Sequence, residues 1–450
     1  MTKANGLICT RLLVTDFRTF AGGTILELVR HPERAEELQF LVWQNGKAEI
    51  RASFERGGQR FVPLQIDPGL ARTIQFPTEV LPYEDVDDLF YVVAAAINSH
   101  VKIPLGPLSL VTAYVFATWL TDRFAHAPYL SVFGPLGSGK TQLLQVLSCC
   151  CRRPLLLTDI SVAGLYSLVN ELHLTLLIDE ADFGRDQQSR ELLRLLRGGH
   201  TAGSAIFRAG KIHSLYGPKI VCSREPIRDA ALASRSVQIP MSRSAESVPP
   251  LEPRRLRRLA DLLQPRLLMF RLRNYYKPLQ LHTELKGLSP RSRDLAYALA
   301  APLADSPALQ ESIVGKIREQ EPDVETRHAN EPELQALEAL FLHCHATPAP
   351  FITVGSVTYL LNKMLAQRGE RARFDPRAVG PILRQHGFRT EKLGSVGIGV
   401  RLTEGAINQL HDRVANYDMT LLGTGLAATC PICAHIRKSR VPKGDASPQH

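Results

Sequence analysis

The 450-residue sequence predicts an α/β fold: a three-layer core built on a parallel sheet, with a β-rich segment before it and helical segments after it. Three observations carry that prediction. A short apolar strand, Tyr129 to Phe133, runs directly into a glycine-rich loop and then a helical pattern. A second apolar run, Leu174 to Ile178, has the character of a buried parallel strand and ends in the adjacent carboxylates Asp179-Glu180. Ahead of these strands, apolar residues alternate with period two over the first eighty residues and then recur at three- and four-residue spacing from Tyr83 to Phe124.

Composition limits the alternatives. With 44% hydrophobic and 22% charged residues, collagen-like, coiled-coil and wholly disordered chains are excluded. The length accommodates two to four domains. Lys and Arg number 54 against 44 Asp and Glu, a net charge of +10 that suits a polyanionic partner or simple solubility. Of the eight cysteines, Cys149, Cys150 and Cys151 are consecutive and poorly placed to bridge one another. Cys9, Cys222 and Cys344 stand isolated in apolar surroundings, so a reducing cytoplasm is the expectation. Lys3 and Arg11 flank too short an apolar run for a secretory signal. Ile103 to Leu120 is an uncharged stretch near the lower limit for a membrane span, but Pro104, Gly106 and Pro107 occupy its first turns. A buried core helix, not a membrane segment, is expected there.

Taken in order, residues 1–80 read as a β-rich N-terminal domain suited to docking or oligomerisation. Asn45-Gly46, between two alternating runs, predicts a type I′ hairpin turn. Residues 81–245 hold helices, with Val86, Leu89, Phe90, Val93 and Ala96 on one face, and then the strands of the core. Residues 246–330 form a basic helical lid, 331–420 a compact winged-helix-like domain, and 421–450 a flexible basic tail.

The chemistry begins at Gly134-Pro135-Leu136-Gly137-Ser138-Gly139-Lys140-Thr141, which matches GxxxxGK[ST] between a strand and a helix. Glycines let successive backbone N–H groups turn toward phosphate oxygens, and the helix N-terminus adds its dipole. Lys140 is then the group for the β- and γ-phosphates, and the Thr141 hydroxyl a Mg²⁺ ligand. Asp179, at the carboxyl end of its strand, would hold Mg²⁺, with Glu180 polarising the attacking water. The letters Asp179-Glu180-Ala181-Asp182 do not make a DEAD-box RNA helicase, because none of that family's other segments is found. Downstream, Ser204 to Arg208 and Lys211 to Leu215 flank Ala209-Gly210 and predict a β-hairpin with Arg208 and Lys211 near its tip. Ser223 closes another strand and is a candidate γ-phosphate sensor.

This order of segments, with Tyr216-Gly217-Pro218-Lys219 opening a strand and Leu232-Ala233-Ser234-Arg235 before the last one, resembles the helicase-like ATPases associated with bacterial and phage primases, within the AAA+ class of P-loop NTPases. The resemblance covers residues 128–303 and, more weakly, 376–417. It implies bound ATP and Mg²⁺ and a homo-oligomeric ring, a hexamer by the family's habit. It also implies an arginine finger at Arg235 acting on a neighbouring subunit, and a cis sensor at Arg291 or Arg293. The hairpin would grip nucleic acid, single-stranded DNA by preference, through Lys211, Arg208 and His213. Primase or other replication proteins are the implied partners, in the setting of a phage or mobile element.

The basic excess is local. Residues 251–293 contain eleven Lys and Arg against Glu252, Asp261 and Glu284, which suits phosphate contacts or a subunit interface equally. In the winged-helix-like region, Arg377, Arg384, Arg389, Lys392 and Arg401 are the candidates for DNA contact, though such domains also dock proteins. Cys430-Pro431-Ile432-Cys433 with His435 has the spacing of half a zinc site. A structural zinc needs four ligands and no second pair follows, so a free thiol pair in the tail is expected unless His411 or another chain completes it. His343-Cys344-His345 lies in an apolar helical stretch and reads as core and surface. The function expected is therefore a Mg-dependent ATPase moving on or remodelling nucleic acid. An ATP-driven protein remodeller or switch is the alternative.

Overall fold

The computed structural model describes residues 11–34, 36–158, 164–165, 172–181, 187–208, 210–227, 229–244, 248–321, 332–346, 349–367, 373–392, 394–417 and 419–440. Asp182, the polar segment 322–331 and the last ten residues, which carry parts of the expectations above, lie outside them. The chain divides into two compact units, Met1–Glu321 and Pro322–His450. The expected boundaries at 80/81 and 245/246 therefore fall inside the first unit.

That unit opens with seven strands: β1 (Arg11–Thr15), β2 (Phe17–Phe20), β3 (Thr24–Arg30), β4 (Leu38–Gln44), β5 (Lys47–Arg51), β6 (Phe54–Arg56) and β7 (Gln59–Pro63). β2 to β5 make an antiparallel meander, while β1, β7 and β6 form a second small sheet in which β1 and β7 run parallel. The β4–β5 turn has Asn45 at φ 51° and Gly46 at φ 76°, the positive pair that a type I′ hairpin requires. Two helices follow a short one, α1 (Pro68–Thr73): α2 (Val86–Asn98), capped by the Asp85 carboxylate, and α3 (Leu105–Trp119). Every residue of α3 from Leu110 to Trp119 is buried, so the uncharged stretch is a core helix. Among the described residues, no helix is long and apolar enough to cross a membrane.

The central sheet consists of β8 (Tyr129–Phe133), β9 (Pro154–Leu157), β10 (Thr175–Ile178), β13 (Lys219–Ser223) and β14 (Val237–Pro240). All five are parallel, in the order β14-β8-β13-β10-β9. Between them lie α4 (Lys140–Leu147), α5 (Gln187–Gly198), the hairpin β11 (Ala205–Arg208) and β12 (Lys211–Ser214), and α6 (Ala230–Ala233). Then come α7 (Pro253–Asn274), α8 (Pro290–Ala300) and α9 (Pro307–Glu319), all helical as expected for 250–320.

One apolar core joins Ile25, Val29 and Leu41 of the N-terminal meander to α2, α3, α4 and α7. The N-terminal strands thus share one core with the helices that follow them. A buried ion network crosses the same seam. Glu27, 2% exposed, meets Arg152 at 2.9 Å and Arg271 at 2.7 Å, and also Arg153. Arg271 reaches Asp122 at 2.7 Å, and Arg153 reaches Asp16. Three guanidiniums face three carboxylates, so the enclosed charges balance, the condition under which buried ions are tolerated. Burial works against the charge on Glu27, but Arg152, Arg153 and Arg271 outweigh it and hold the carboxyl at about 2.

The second unit holds α10 (Pro332–Ala346), β15 (Phe351–Thr353), α11 (Val354–Gln367), α12 (Pro376–Gln385), β16 (Thr390–Lys392), β17 (Ile398–Arg401), α13 (Glu404–Tyr417) and α14 (Pro431–Arg440). Its three short strands form an antiparallel sheet in the order β15-β17-β16. Leu340, Val357, Leu361, Leu383 and Leu410 centre a separate apolar core. Pro381 sits inside α12, where it removes one backbone donor.

Candidate functional site

The cleft lies at the carboxyl ends of β8, β10 and β13. Its volume is about 340 Å³, and Leu136 to Gln142, Asp179, Glu180, Cys222, Ser223 and Arg224 line it. Of the glycine-rich loop's first two residues, Gly134 supports the cleft from behind. A Cβ on Gly134 would come within 2.2 Å of the Met241 carbonyl oxygen, because the chain leaving β14 crosses the loop there. Gly137 at φ 75° and Gly139 at φ 85° take left-handed conformations that open the loop toward α4.

Lys140 Nζ donates to the carbonyls of Gly134 at 2.7 Å and Pro135 at 3.0 Å, which holds the ammonium over the loop. Thr141 Oγ1 donates to Asp179 Oδ2 at 2.8 Å, and the Glu180 backbone N–H donates to Asp179 Oδ1 at 3.0 Å. Asp179 is 6% exposed, whereas Glu180 is exposed at the cleft wall. Glu180 has φ 50°, uncommon for a residue with a side chain and the kind of backbone strain that clusters at functional sites. The Ser138 hydroxyl is buried without a hydrogen-bond partner among the described residues, and it faces the loop interior beside Gly134. An orphaned hydroxyl, a lysine, a hydroxyl–carboxylate pair and two left-handed glycines form a donor set that fits a nucleotide's phosphates with a divalent cation. Thr141 and Asp179 are the residues that would hold the cation.

Ser223 lines the cleft, with its hydroxyl donating to the Glu225 carbonyl at 2.6 Å. Burial raises the Cys222 thiol well above its usual range, with Asp179 adding to the effect, so Cys222 is a neutral wall residue. Arg224 also lines the cleft, and Arg243 donates to the Leu136 carbonyl at 2.9 Å. Sequence reasoning missed both arginines. Arg224 directly follows Ser223 at a strand end, a signal that was available; Arg243 reaches the loop only through the packing of β14 beside β8.

Arg291 is not brought to the cleft. Its guanidinium donates to the Ser234 hydroxyl, immediately before Arg235, and Arg293 turns to the Leu288 carbonyl at 2.9 Å. Arg235 precedes β14, whose Val237 pairs with Leu130 near the start of β8. Arg235 and, through Ser234, Arg291 therefore sit at the amino-terminal end of the strands, opposite the end that carries the loop. Burial, then the guanidiniums of Arg291 and Arg197, lower the pKa of Arg235. His200, in the same cluster, is held at about 3 by burial, then by His126 and Arg235.

The hairpin pairs Arg208 with Lys211 in register, and Lys211 is exposed; the Arg208 side chain lies outside the described residues. Next to them Phe207 and Ile212 face each other, 75% and 72% exposed. In the second unit Arg377 and Arg384 are both exposed on α12, and Arg384 donates to Thr390 Oγ1 at 2.9 Å. Arg401 is tied across its sheet to Glu391 at 2.6 Å.

The thiol pair expected in a flexible tail lies at the start of a helix. Residues 431–440 form α14, and Cys430 and Cys433 meet His345 and His411, with His435 outside the group.

A parallel sheet with a GxxxxGKT loop after one central strand and a carboxylate at the end of another defines the P-loop NTPase class of fold. No known family model matches the chain, and no curated protein matches it. Solved structures match in part. The apo A form of the NrS-1 C-terminal region is 12% identical, with a TM-score of 0.34 over 84% of this chain and 96% of that one. Cdc6p from Pyrobaculum aerophilum is 14% identical, with a TM-score of 0.23 over 70% and 95%. JCV helicase is 17% identical, with a TM-score of 0.27 over 54% and 64%.

Proposed function

We propose that the protein is a Mg-dependent ATP hydrolase that couples turnover to movement on, or remodelling of, nucleic acid. The observation that carries the hydrolase reading is the Thr141–Asp179 pair at 2.8 Å, at the mouth of the loop and beside Glu180. Loop N–H groups bind the phosphates, and the Ser138 hydroxyl offers a further donor. Lys140 moves from its carbonyl partners to the β- and γ-oxygens. Thr141 and Asp179 would hold a Mg²⁺, which would supply neutralisation of phosphate charge. Glu180 orients the attacking water and Asp179 keeps Thr141 in register. Lys140→Ala should abolish nucleotide binding. Glu180→Gln should retain ATP yet lower turnover by about 10² or more. Unchanged turnover in Glu180→Gln would sink the assignment.

Arg235 acts in trans on this reading. Its position at the amino-terminal end of the strands, away from its own loop, supports that role, which requires a homo-oligomer. Arg291 joins it there instead of serving as a cis sensor.

Nucleic acid is the favoured polymer because two basic features are exposed. The hairpin tip pairs Lys211 with Arg208 on one face and carries the exposed Phe207 and Ile212 on the other, a cation and an aromatic ring of the kind on which bases stack. Arg254, Arg255, Arg257 and Arg258 are exposed in the opening turns of α7, where the N-cap Glu252 is the one carboxylate at the positive end of the helix dipole and the first turn itself holds none. Arg377 and Arg384 would add contacts from the second unit. ATP turnover measured with and without single-stranded DNA tests this. Stimulation that falls in Lys211→Ala supports translocation; turnover indifferent to DNA favours the protein-remodelling alternative.

A further inference from the structure

The second unit contains a cluster unrelated to the nucleotide cleft. His345 at the end of α10, His411 on α13, and Cys430 and Cys433 at the start of α14 converge until their ligand atoms all lie within 4.8 Å of one another. The two imidazole Nε2 atoms are 3.2 Å apart. Cys430 Sγ lies 3.5 Å from His411 Nε2, and Cys433 Sγ lies 3.5 Å from His345 Nε2. A tetrahedral zinc with Zn–N of about 2.0–2.1 Å and Zn–S of about 2.3 Å needs N···N and N···S edges of roughly 3.3 and 3.5 Å. Three of the six edges already have those lengths, and the others lie within 4.8 Å.

The ring orientations make the same point independently. His345 Nδ1 lies 2.8 Å from the Phe341 carbonyl, and His411 Nδ1 lies 2.7 Å from the Ile407 carbonyl. A carbonyl only accepts, so each Nδ1 carries the proton and each Nε2 presents a lone pair. Two lone pairs then face each other across 3.2 Å, an arrangement a shared cation relieves. This is also how metal-binding histidines are fixed in tautomer and direction, by a partner on the ring's other nitrogen.

We propose that His345, His411, Cys430 and Cys433 form a structural zinc site that fastens α14 to α10 and α13. Four protein ligands leave no open position, so the site is structural and not catalytic. Two thiol protons pass to solvent as one Zn²⁺ binds two thiolates, and the charge of the site does not change. Two neutral imidazoles complete a Cys₂His₂ set, which selects zinc over the harder Mg²⁺ of the nucleotide cleft.

The test uses the full chain, purified with reductant and without added chelator. Elemental analysis should find one zinc per chain, retained through gel filtration, and retained equally in Lys140→Ala. Replacing the metal with Co²⁺ in the wild-type protein should give the visible ligand-field and thiolate charge-transfer bands of a tetrahedral S₂N₂ site. This spectrum needs no variant to fold. Cys433→Ser and His411→Ala should each lower zinc affinity at least ~10-fold. Stripping the metal should speed amide exchange in residues 431–440 while leaving α4 unchanged. A wild-type chain that neither retains zinc nor takes up Zn²⁺ or Co²⁺ when reduced would overturn the site. So would an octahedral Co²⁺ spectrum, or zinc retained undiminished in both variants.

Discussion

Gly134 and Glu27 show how single positions bear on the fold. At Gly134 a methyl group would come within 2.2 Å of the Met241 carbonyl, a backbone atom held in place by the Met241–Phe133 hydrogen bond at 2.8 Å. Gly134→Ala should therefore push the loop away from β14, costing about 1–3 kcal/mol in denaturant unfolding and weakening ATP binding. Glu27 is the hub of the buried network, and Glu27→Gln leaves Arg152, Arg153 and Arg271 short of one negative charge. The expected loss is about 3–5 kcal/mol, read from the urea midpoint. The pH dependence has a definite sign. Because the folded carboxyl is held near 2 against an ordinary value of 4.5, its contribution is complete above 4.5 and disappears as pH falls toward 2. Wild-type stability should drop through that window more steeply than that of Glu27→Gln. Equal slopes would show that the network is not the acid-sensitive element.

Among the elements, α7 divides the basic excess in two. Arg271 in its second half is fully buried and belongs to the ion network, while Arg254 to Arg258 at its start are exposed, apart from the half-buried Leu256 between them. A sequence count treats these as one basic patch; packing separates a structural arginine from arginines available to a polyanion. Converting Arg254, Arg255, Arg257 and Arg258 to Gln should reduce the salt slope of single-stranded DNA binding by about 0.7 for each phosphate no longer neutralised. Stability should hold or rise slightly, since those charges oppose the dipole at a helix N-terminus. A fall in stability with an unchanged salt slope would assign them to packing. The β11–β12 hairpin was legible because Ala209-Gly210 separates two short alternating runs, and the Asn45-Gly46 turn because only a few residue pairs accept two positive φ angles.

At the scale of the molecule, the placement of Arg235 makes a prediction about assembly. Strand β8 separates it from its own loop by five residues at about 3.3 Å each, too far for a side chain to cross. Inactive Arg235→Ala and Glu180→Gln proteins, when mixed, should recover part of the ATPase rate, because mixed interfaces pair an intact Glu180 with an intact Arg235. The arginine's effect on turnover should be on the order of 10³. Mixtures that stay inactive while co-assembling would place the two residues in one subunit's chemistry.

The sequence by itself determined the phosphate loop, the strand ending in Asp179-Glu180, the hairpin and the apolar identity of α3. Each is written in neighbouring residues, whose spacing and backbone preference are local properties. Tertiary structure alone decided which distant groups meet. Glu27 and Arg271 are 244 positions apart, and His345 and Cys433 are 88 apart. Arg291, expected beside the nucleotide, bonds to Ser234, and Arg243, which carried no expectation, bonds to the loop, for the same reason: strand order, not chain order, sets what lies beside the loop. Chain spacing over such lengths carries almost no information about proximity, because closing a long loop costs little more than closing a shorter one. Proximity there follows from which apolar faces are buried together, and only the packed core specifies that.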